Sequence, residues 1–307
     1  MTAASETLLG TARPFDPTAP LSASGNLRRR AVVDRVVQFV SSTAAVCAVA
    51  VLVIVVYGVL VRGAAALNLG FVFENPTGLD TGGIANALLG TLEIVAIGAV
   101  IALPLGVLTG LYLTEFAGAR SQTGRVLTLA LDMMQGLPTI VVGLFVYGLL
   151  VIPMKRETGV AGAIALAIVM LPLMARASQE VLLLVPGTLR EAADALGVAR
   201  WRAVLTVILP SAMGGIVTGA ILAIARAAGE TAPLLICDSI YNYNATSLNP
   251  FRGVPNVPML IYTSYDLPLP QAVVRAWGAA LVLMIFILLA NIGARVLLAR
   301  SRAKMGP

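Results

Sequence analysis

Six apolar runs, at residues 39–61, 86–114, 127–152, 160–175, 208–237 and 276–298, constrain this chain more than anything else in it. About 20 apolar residues in a helix span the hydrocarbon core of a bilayer, where every backbone N–H and C=O must find its partner within the chain. The helix does this internally, so the runs predict an all-α, polytopic membrane protein with six transmembrane helices. Composition agrees, because only 12% of the 307 residues are charged, against about 25% in a soluble domain. The fourth run is the shortest. Pro104, Pro138 and Pro172 fall inside runs, and each is expected to kink or break its helix.

Residues 1–27 are polar and rich in Ser, Thr and Pro, which reads as a disordered tail; residues 28–307 form the transmembrane domain. The Arg28-Arg-Arg30 cluster precedes an apolar run too long for a signal-peptide core, so the first span is expected to stay as an anchor. With both termini in the cytoplasm, fifteen of the 21 basic residues collect inside, five outside and Arg226 within a span. That asymmetry sets the orientation and accounts for the net charge of +6 without nucleic acid.

Absences narrow the chemistry. The chain has no histidine, and Cys47 and Cys237 lie in different spans without metal-binding spacing, so they read as free, packed thiols with no metal site. Its two lysines, Lys155 and Lys304, do not follow glycine, so there is no Gly-Lys-Ser/Thr phosphate loop. The chain is therefore not expected to be an enzyme or to hold a cofactor. Any ATP and Mg used must sit on another chain.

Between the fourth and fifth runs lies a polar insertion of about thirty residues, from Arg176 to Val207. Within it, Pro186 and Gly187 break the chain, Thr188 and Glu191 have capping-box spacing, and Gly197 is placed to end a helix in a left-handed conformation. Arg190 and Asp194, four apart, can pair along one exposed face. Ala192, Ala193 and Ala195 keep the helix slim enough for a neighbour's groove. Glu191-Ala-Ala-Asp-Ala-Leu-Gly197, nine residues and then Val207-Ile-Leu-Pro210, resembles the EAA signature of the permeases in ATP-driven bacterial importers. Val207 stands where that family usually has Ile. The resemblance implies that the transmembrane domain is a permease. It also implies that residues 186–198 form a cytoplasmic coupling helix, with Glu191, Ala192, Ala193 and Gly197 meeting a separate ATPase.

The fifth run carries Arg226 and Glu230. A charge near the middle of a spanning helix costs about 2.5–3.5 kcal/mol on insertion scales, so two unpaired charges cost roughly double. Four residues apart on one helix, they can face each other. Arg226 falls about 21–24 Å along its helix from the cytoplasmic start, past the midplane. The bland reading is an ion pair that pins the helix; the functional one is a pathway site in a water-filled cavity. Arginine suits an oxyanion because its planar fork donates parallel hydrogen bonds. Glutamate could orient it, or accept a hydrogen bond from a protonated anion, a role that would favour hydrogen phosphate over sulfate, which has no proton to donate.

Arg226-Ala-Ala-Gly-Glu-Thr-Ala-Pro-Leu234 closely resembles the permeases of phosphate-specific importers. The likeness runs from about residue 83 to 298 and includes Leu103-Pro-Leu-Gly106, Gly136-Leu-Pro-Thr139, Leu171-Pro-Leu-Met-Ala-Arg176, Ala195-Leu-Gly-Val-Ala-Arg-Trp201 and Pro255-Asn-Val-Pro-Met259. It is nearer to the A-type member of the phosphate permease pair than to its C-type sister permease. The type I importer permease fold follows as an expectation. So do a heterodimer with the C-type sister permease, a dimer of ATPase subunits, an external phosphate-binding protein, inorganic phosphate as cargo and a bacterial inner-membrane location. It also implies Arg226, Glu230 and Arg176 along the substrate pathway, although Arg176 reads equally as a positive-inside anchor.

Glu93 and Asp132 lie near span ends and read as solvated. Gly106/Gly110 and Gly215/Gly219 have the spacing that lets membrane helices approach closely. Residues 238–275 form a loop long enough to cover the pore mouth and receive the binding protein. Rival readings are a permease for sulfate or molybdate, an ATP-independent channel or secondary transporter in which Arg226 and Glu230 gate or relay protons, and, weakest, a membrane enzyme.

Overall fold

A computed structural model describes residues 25–78, 80–117, 121–238 and 249–304. Most of the N-terminal tail expected at 1–27 lies outside these residues, as do positions 239–248 of the outer loop. Two units divide the chain at Tyr57 and Gly58. The first contributes most of α1 (Gly25–Gly63), a single 39-residue helix without a break.

The second unit holds the remaining helices. α2 (Leu69–Phe73) is a short helix capped by Asn68, whose side chain accepts from the Phe71 N–H at 2.7 Å. α3 (Ala85–Leu111) continues into a π-turn at Tyr112–Phe116. α4 (Gln122–Gly136) and α5 (Thr139–Val146) follow, then a π-turn at Tyr147–Val151 and α6 (Ile152–Met154). α7 (Gly159–Leu183) leads to α8 (Gly187–Ala195), α9 (Arg200–Ala203), a π-turn at Val204–Ile208 and α10 (Leu209–Ala228). α11 (Ala232–Cys237), α12 (Val257–Asp266) and α13 (Pro270–Lys304) complete it. Five helical stretches are long and apolar enough to cross a membrane, and a sixth span arises if α4 and the α5–α6 segment count as one. The all-α polytopic fold expected from the runs is therefore present.

The prolines behave differently from one another. α3 and α7 run on through Pro104 and Pro172, whereas the chain bends by 104° between α4 and the α5–α6 segment. Pro138 holds an extended backbone at the start of α5, with ψ 132°, and proline also disfavours helical geometry at its predecessor Leu137. The third run is thus two helical segments joined by a sharp bend rather than one helix. The fourth, expected to be the shortest, is a full 25-residue helix. The fifth ends at Ala228, not at residue 237: Gly229, Glu230 and Thr231 separate α10 from α11.

α7 is the central strut. On α3, Gly98, Gly106 and Gly110 lie against α7 so closely that a Cβ at Gly106 would meet the Met174 Cβ at 2.7 Å, and one at Gly110 the Ser178 Cβ at 2.8 Å. α10 approaches the other flank of α7 the same way, with Gly219 facing Ala177 and Gly215 facing Val181. Both Gly-x-x-x-Gly pairs therefore do the packing their spacing implies. Between these contacts Ala99, Ala102, Ala167, Met170, Ala223 and Ala227 form a buried core of mostly one-carbon side chains.

The outer segment is not simply a loop. Asn256, within Pro255-Asn-Val-Pro-Met259, caps α12 by accepting from the Met259 N–H at 3.0 Å, and Pro258 occupies the first turn where its missing N–H costs nothing. Asp238, fully buried, ties the base of this segment together by accepting from the Val254 N–H and the Asn256 side-chain amide at 2.9 and 3.2 Å.

Candidate functional site

Two places gather polar side chains: a cavity at the paired helix breaks, and the polar insertion between α7 and α10. At the first, Arg226 stands in the last turn of α10 and Gly229 ends that helix. A cation there is favoured by the partial negative charge of the helix C-terminus. Met134, Gln135, Leu137, Thr139, Val142, Val169, Pro172, Leu173 and Arg226 line a cavity of about 170 Å³. Its walls come from both sides of the α4–α5 bend, from the middle of α7 and from the end of α10. Leu137 and Pro138 interrupt one helix, and the Gly229–Thr231 break interrupts the other beside it.

Glu230 lies in the second break. It does not pair with Arg226, although a continuous helix would have placed them one turn apart. Once Gly229 leaves helical register the four-residue spacing no longer sets the geometry, and Glu230 Oε1 instead accepts from the Thr139 hydroxyl at 2.8 Å. Arg226 is exposed and makes no ion pair or hydrogen bond among the described residues. The internal ion pair is excluded, and a guanidinium remains free to meet an anion. Gln135 donates to the Pro172 carbonyl at 3.4 Å, leaving its amide oxygen as an acceptor at the same wall. Thr139 and Gln135 escape a reading of charges alone; the Gly136-Leu-Pro-Thr139 motif was the signal that contained one of them.

Arg176 does not line this cavity. Its guanidinium pairs with Asp132 of α4, donates to Gln179 Oε1 at 2.8 Å and reaches the Thr128 carbonyl at 3.3 Å. Asp132 is exposed, as expected, but it stands well inside α4 rather than at a helix start, because α4 begins earlier than its apolar run, and it is ion-paired. Glu93 is half-buried in α3, with one carboxylate oxygen enclosed and unpartnered, rather than solvated throughout.

The second place is α8. It begins at Gly187 with Pro186 as its N-cap and no side-chain cap, so the expected Thr188–Glu191 capping box does not form. The Pro186 carbonyl already accepts from the Leu189 N–H at 3.2 Å, which starts the helix two residues too early for Thr188 to cap it. The other end matches expectation. Gly197 has φ +66°, the Val198 N–H reaches back to the Ala193 carbonyl at 3.0 Å, and the Gly197 N–H reaches that of Asp194 at 3.0 Å, a Schellman ending. Glu191 and Ala192 are exposed, and Ala193 is the buried residue of the helix.

Arg190 does not pair with Asp194. It turns inward to Glu115 in the π-turn after α3, donating from Nη2 at 2.8 Å and from Nε at 3.1 Å to the same oxygen. Arg200 joins the same carboxylate at 3.5 Å. The Glu115 side chain is wholly buried. Nothing in the local sequence separates Glu115 from an ordinary residue at a span end; the π-turn that directs it inward is invisible to helical periodicity.

Comparison with known proteins agrees with this architecture. Residues 102–303 match the family model described as the binding-protein-dependent transport system inner membrane component. The chain is 41% identical over 219 residues to the phosphate transport system permease protein PstA 1 of Mycobacterium tuberculosis, covering 70% of each chain. It is 36% identical over 261 residues to the probable phosphate transport system permease protein PstA of Methanocaldococcus jannaschii, covering 84% of this chain and 91% of that one. Among solved structures, an inward-facing MetNI methionine ABC transporter superposes with a TM-score of 0.56 at 21% identity, over 71% of this chain and 94% of its own, which bears on fold alone. Sharply bent helices, an unpaired arginine in an apolar helix and a Gly-terminated α8 thus sit on a known scaffold, and the chain belongs to the binding-protein-dependent transport system inner membrane component family, with the PstA phosphate permeases.

Proposed function

We propose that this chain forms one half of the translocation pathway of an ATP-driven phosphate importer, beside a sister permease of the C type. ATP and Mg act on a separate ATPase dimer, and an external binding protein delivers phosphate. The observation that carries the reading is the free Arg226 guanidinium on a small cavity between two broken helices. A charge held in an apolar span is costly unless a ligand or water meets it, and relatives of this chain at 36–41% identity are phosphate permeases.

The partners of Arg226 favour phosphate in particular. Thr139 gives its single proton to Glu230, so toward the cavity its oxygen can only accept. Hydrogen phosphate can donate a P–OH to that oxygen while its charged oxygens take the Arg226 fork; sulfate has no proton to give. Arg176 would meet the anion further along, after Asp132 releases it. Glu191, Ala192, Ala193 and Gly197 of α8 form the face and ending of the helix that meets the ATPase. On this reading the termini and α8 share the cytoplasmic side, as the basic residues indicate.

The test is phosphate uptake by cells carrying Arg226→Ala, with membrane abundance and ATPase co-purification measured alongside. Losing a charge-assisted contact to the anion should lower uptake by about 10- to 100-fold while the complex stays assembled. Unchanged uptake would remove Arg226 from the pathway.

A further inference from the structure

We propose that Glu115 is a positioning residue that fastens the docking helix α8 to the end of α3, so that displacement of α8 is delivered into the α3–α7 pair. The inference rests on the reading that α8 meets the ATPase. Among its nine residues α8 buries only Ala193, too little apolar surface to hold it firmly. Its connection to the rest of the unit is polar. Arg190 places Nη2 and Nε on Glu115 Oε1 at 2.8 and 3.1 Å, and Nε also approaches Oε2 at 3.3 Å. Its remaining reach goes to the Val185 carbonyl at 2.7 Å and the Leu182 carbonyl at 2.9 Å, at the end of α7 and in the turn leading into α8. One guanidinium therefore joins α3, α7 and α8.

Arg200, the first residue of α9, closes the clamp. Its Nε donates to the backbone carbonyl of Glu115 at 3.0 Å, and Nη2 reaches Oε2 at 3.5 Å. The carboxylate sits in the π-turn Tyr112–Phe116, where the widened backbone turns the residue inward. Its side chain has no exposure, whereas that of Arg200 is half exposed. A buried carboxylate holding two arginines is directional and resists sliding. A planar fork is required, because lysine is a point charge that cannot span both oxygens and two carbonyls.

The experiment uses the full complex, permease pair with ATPase and phosphate-binding protein, in proteoliposomes supplied with phosphate and ATP. Phosphate moved per ATP hydrolysed is measured for wild type, Glu115→Gln, Arg190→Gln, the double variant and Arg200→Gln. Glu115→Gln should lower that ratio about tenfold while ATP hydrolysis continues and no longer responds to loaded binding protein. The double variant should lose no more than either single, since the two act as a unit. Should Glu115→Gln fail to assemble, Arg200→Gln decides, because removing the half-exposed arm should leave assembly intact and give a smaller drop in the ratio. A wild-type ratio in assembled Glu115→Gln, or in Arg200→Gln when the former does not assemble, overturns the clamp. Wild-type uptake tests the phosphate reading and the ratio among variants tests the clamp, so the two fail separately.

Discussion

Arg226 and Glu230 are four residues apart, yet they face different partners because a glycine between them ends the helix. Their presence was legible in the sequence, since charges in an apolar run stand out. Their relation was not, because the i, i+4 rule holds only while the helix continues. The consequence falls on Thr139, a neutral residue that hydropathy passes over. With its proton committed to Glu230, it should contribute selectivity more than affinity. Replacing it by valine removes the acceptor and keeps the shape. Thr139→Val is expected to narrow the preference for phosphate over sulfate by about tenfold, the worth of one hydrogen bond to a charged group, as read from sulfate inhibition of phosphate uptake. If sulfate competes no better than in wild type, the threonine is only a tether for Glu230.

At the scale of elements, the end of α8 was easier to anticipate than its beginning. A left-handed ending needs a residue without a Cβ, so Gly197 announces it, and φ is indeed +66°. A beginning can be made in several ways, and Pro186, by lending its carbonyl to Leu189, displaced the Thr188 cap. The bends divide likewise. Pro138 marks a break, but Pro104 and Pro172 lie in helices that continue, because neighbouring helices can hold a proline-containing turn together. The three π-turns, at Tyr112–Phe116, Tyr147–Val151 and Val204–Ile208, leave no periodic trace. Gly197 also carries a prediction. Forcing a β-branched residue into left-handed geometry costs roughly 1–2 kcal/mol, which would fray the end of α8 before it can dock. Gly197→Val should therefore weaken ATPase retention by about 5- to 30-fold, the same free energy expressed as affinity, while Gly197→Asn, which tolerates this conformation, should retain most of it. Equal co-purification of the ATPase with both variants would mean that the ending does not shape the docking face.

For the whole second unit, hydropathy located the spans and left their arrangement undetermined, because leucine is as content against lipid as against another helix. The small residues held that information. Gly98, Gly106 and Gly110 on α3 let α7 come so near that a Cβ at any of them would stand 3.0 Å or less from an α7 atom. Interfaces of this kind have little freedom to slide, since any shift drives backbone atoms together. By contrast, the α4–α5 segment and α10–α11 each carry a break at the cavity, where a few dihedrals can turn. The division implies that α3 and α7 travel as one body during transport and that rearrangement concentrates at Leu137–Pro138 and Gly229–Thr231. A covalent test is available because a Cβ at Gly98 would stand 3.5 Å from that of Leu166, within the span that a disulfide requires. In a background with Cys47 and Cys237 replaced by serine and alanine, the pair Gly98→Cys and Leu166→Cys should oxidise readily. Phosphate uptake should then be the same, within about twofold, before and after reduction, since locking two parts that do not move relative to each other removes nothing from the cycle. A large recovery of uptake on reduction would show that α3 slides on α7. The force entering through α8 would then be spent at that interface, and the helix breaks at the cavity would serve to hold the anion rather than to move it.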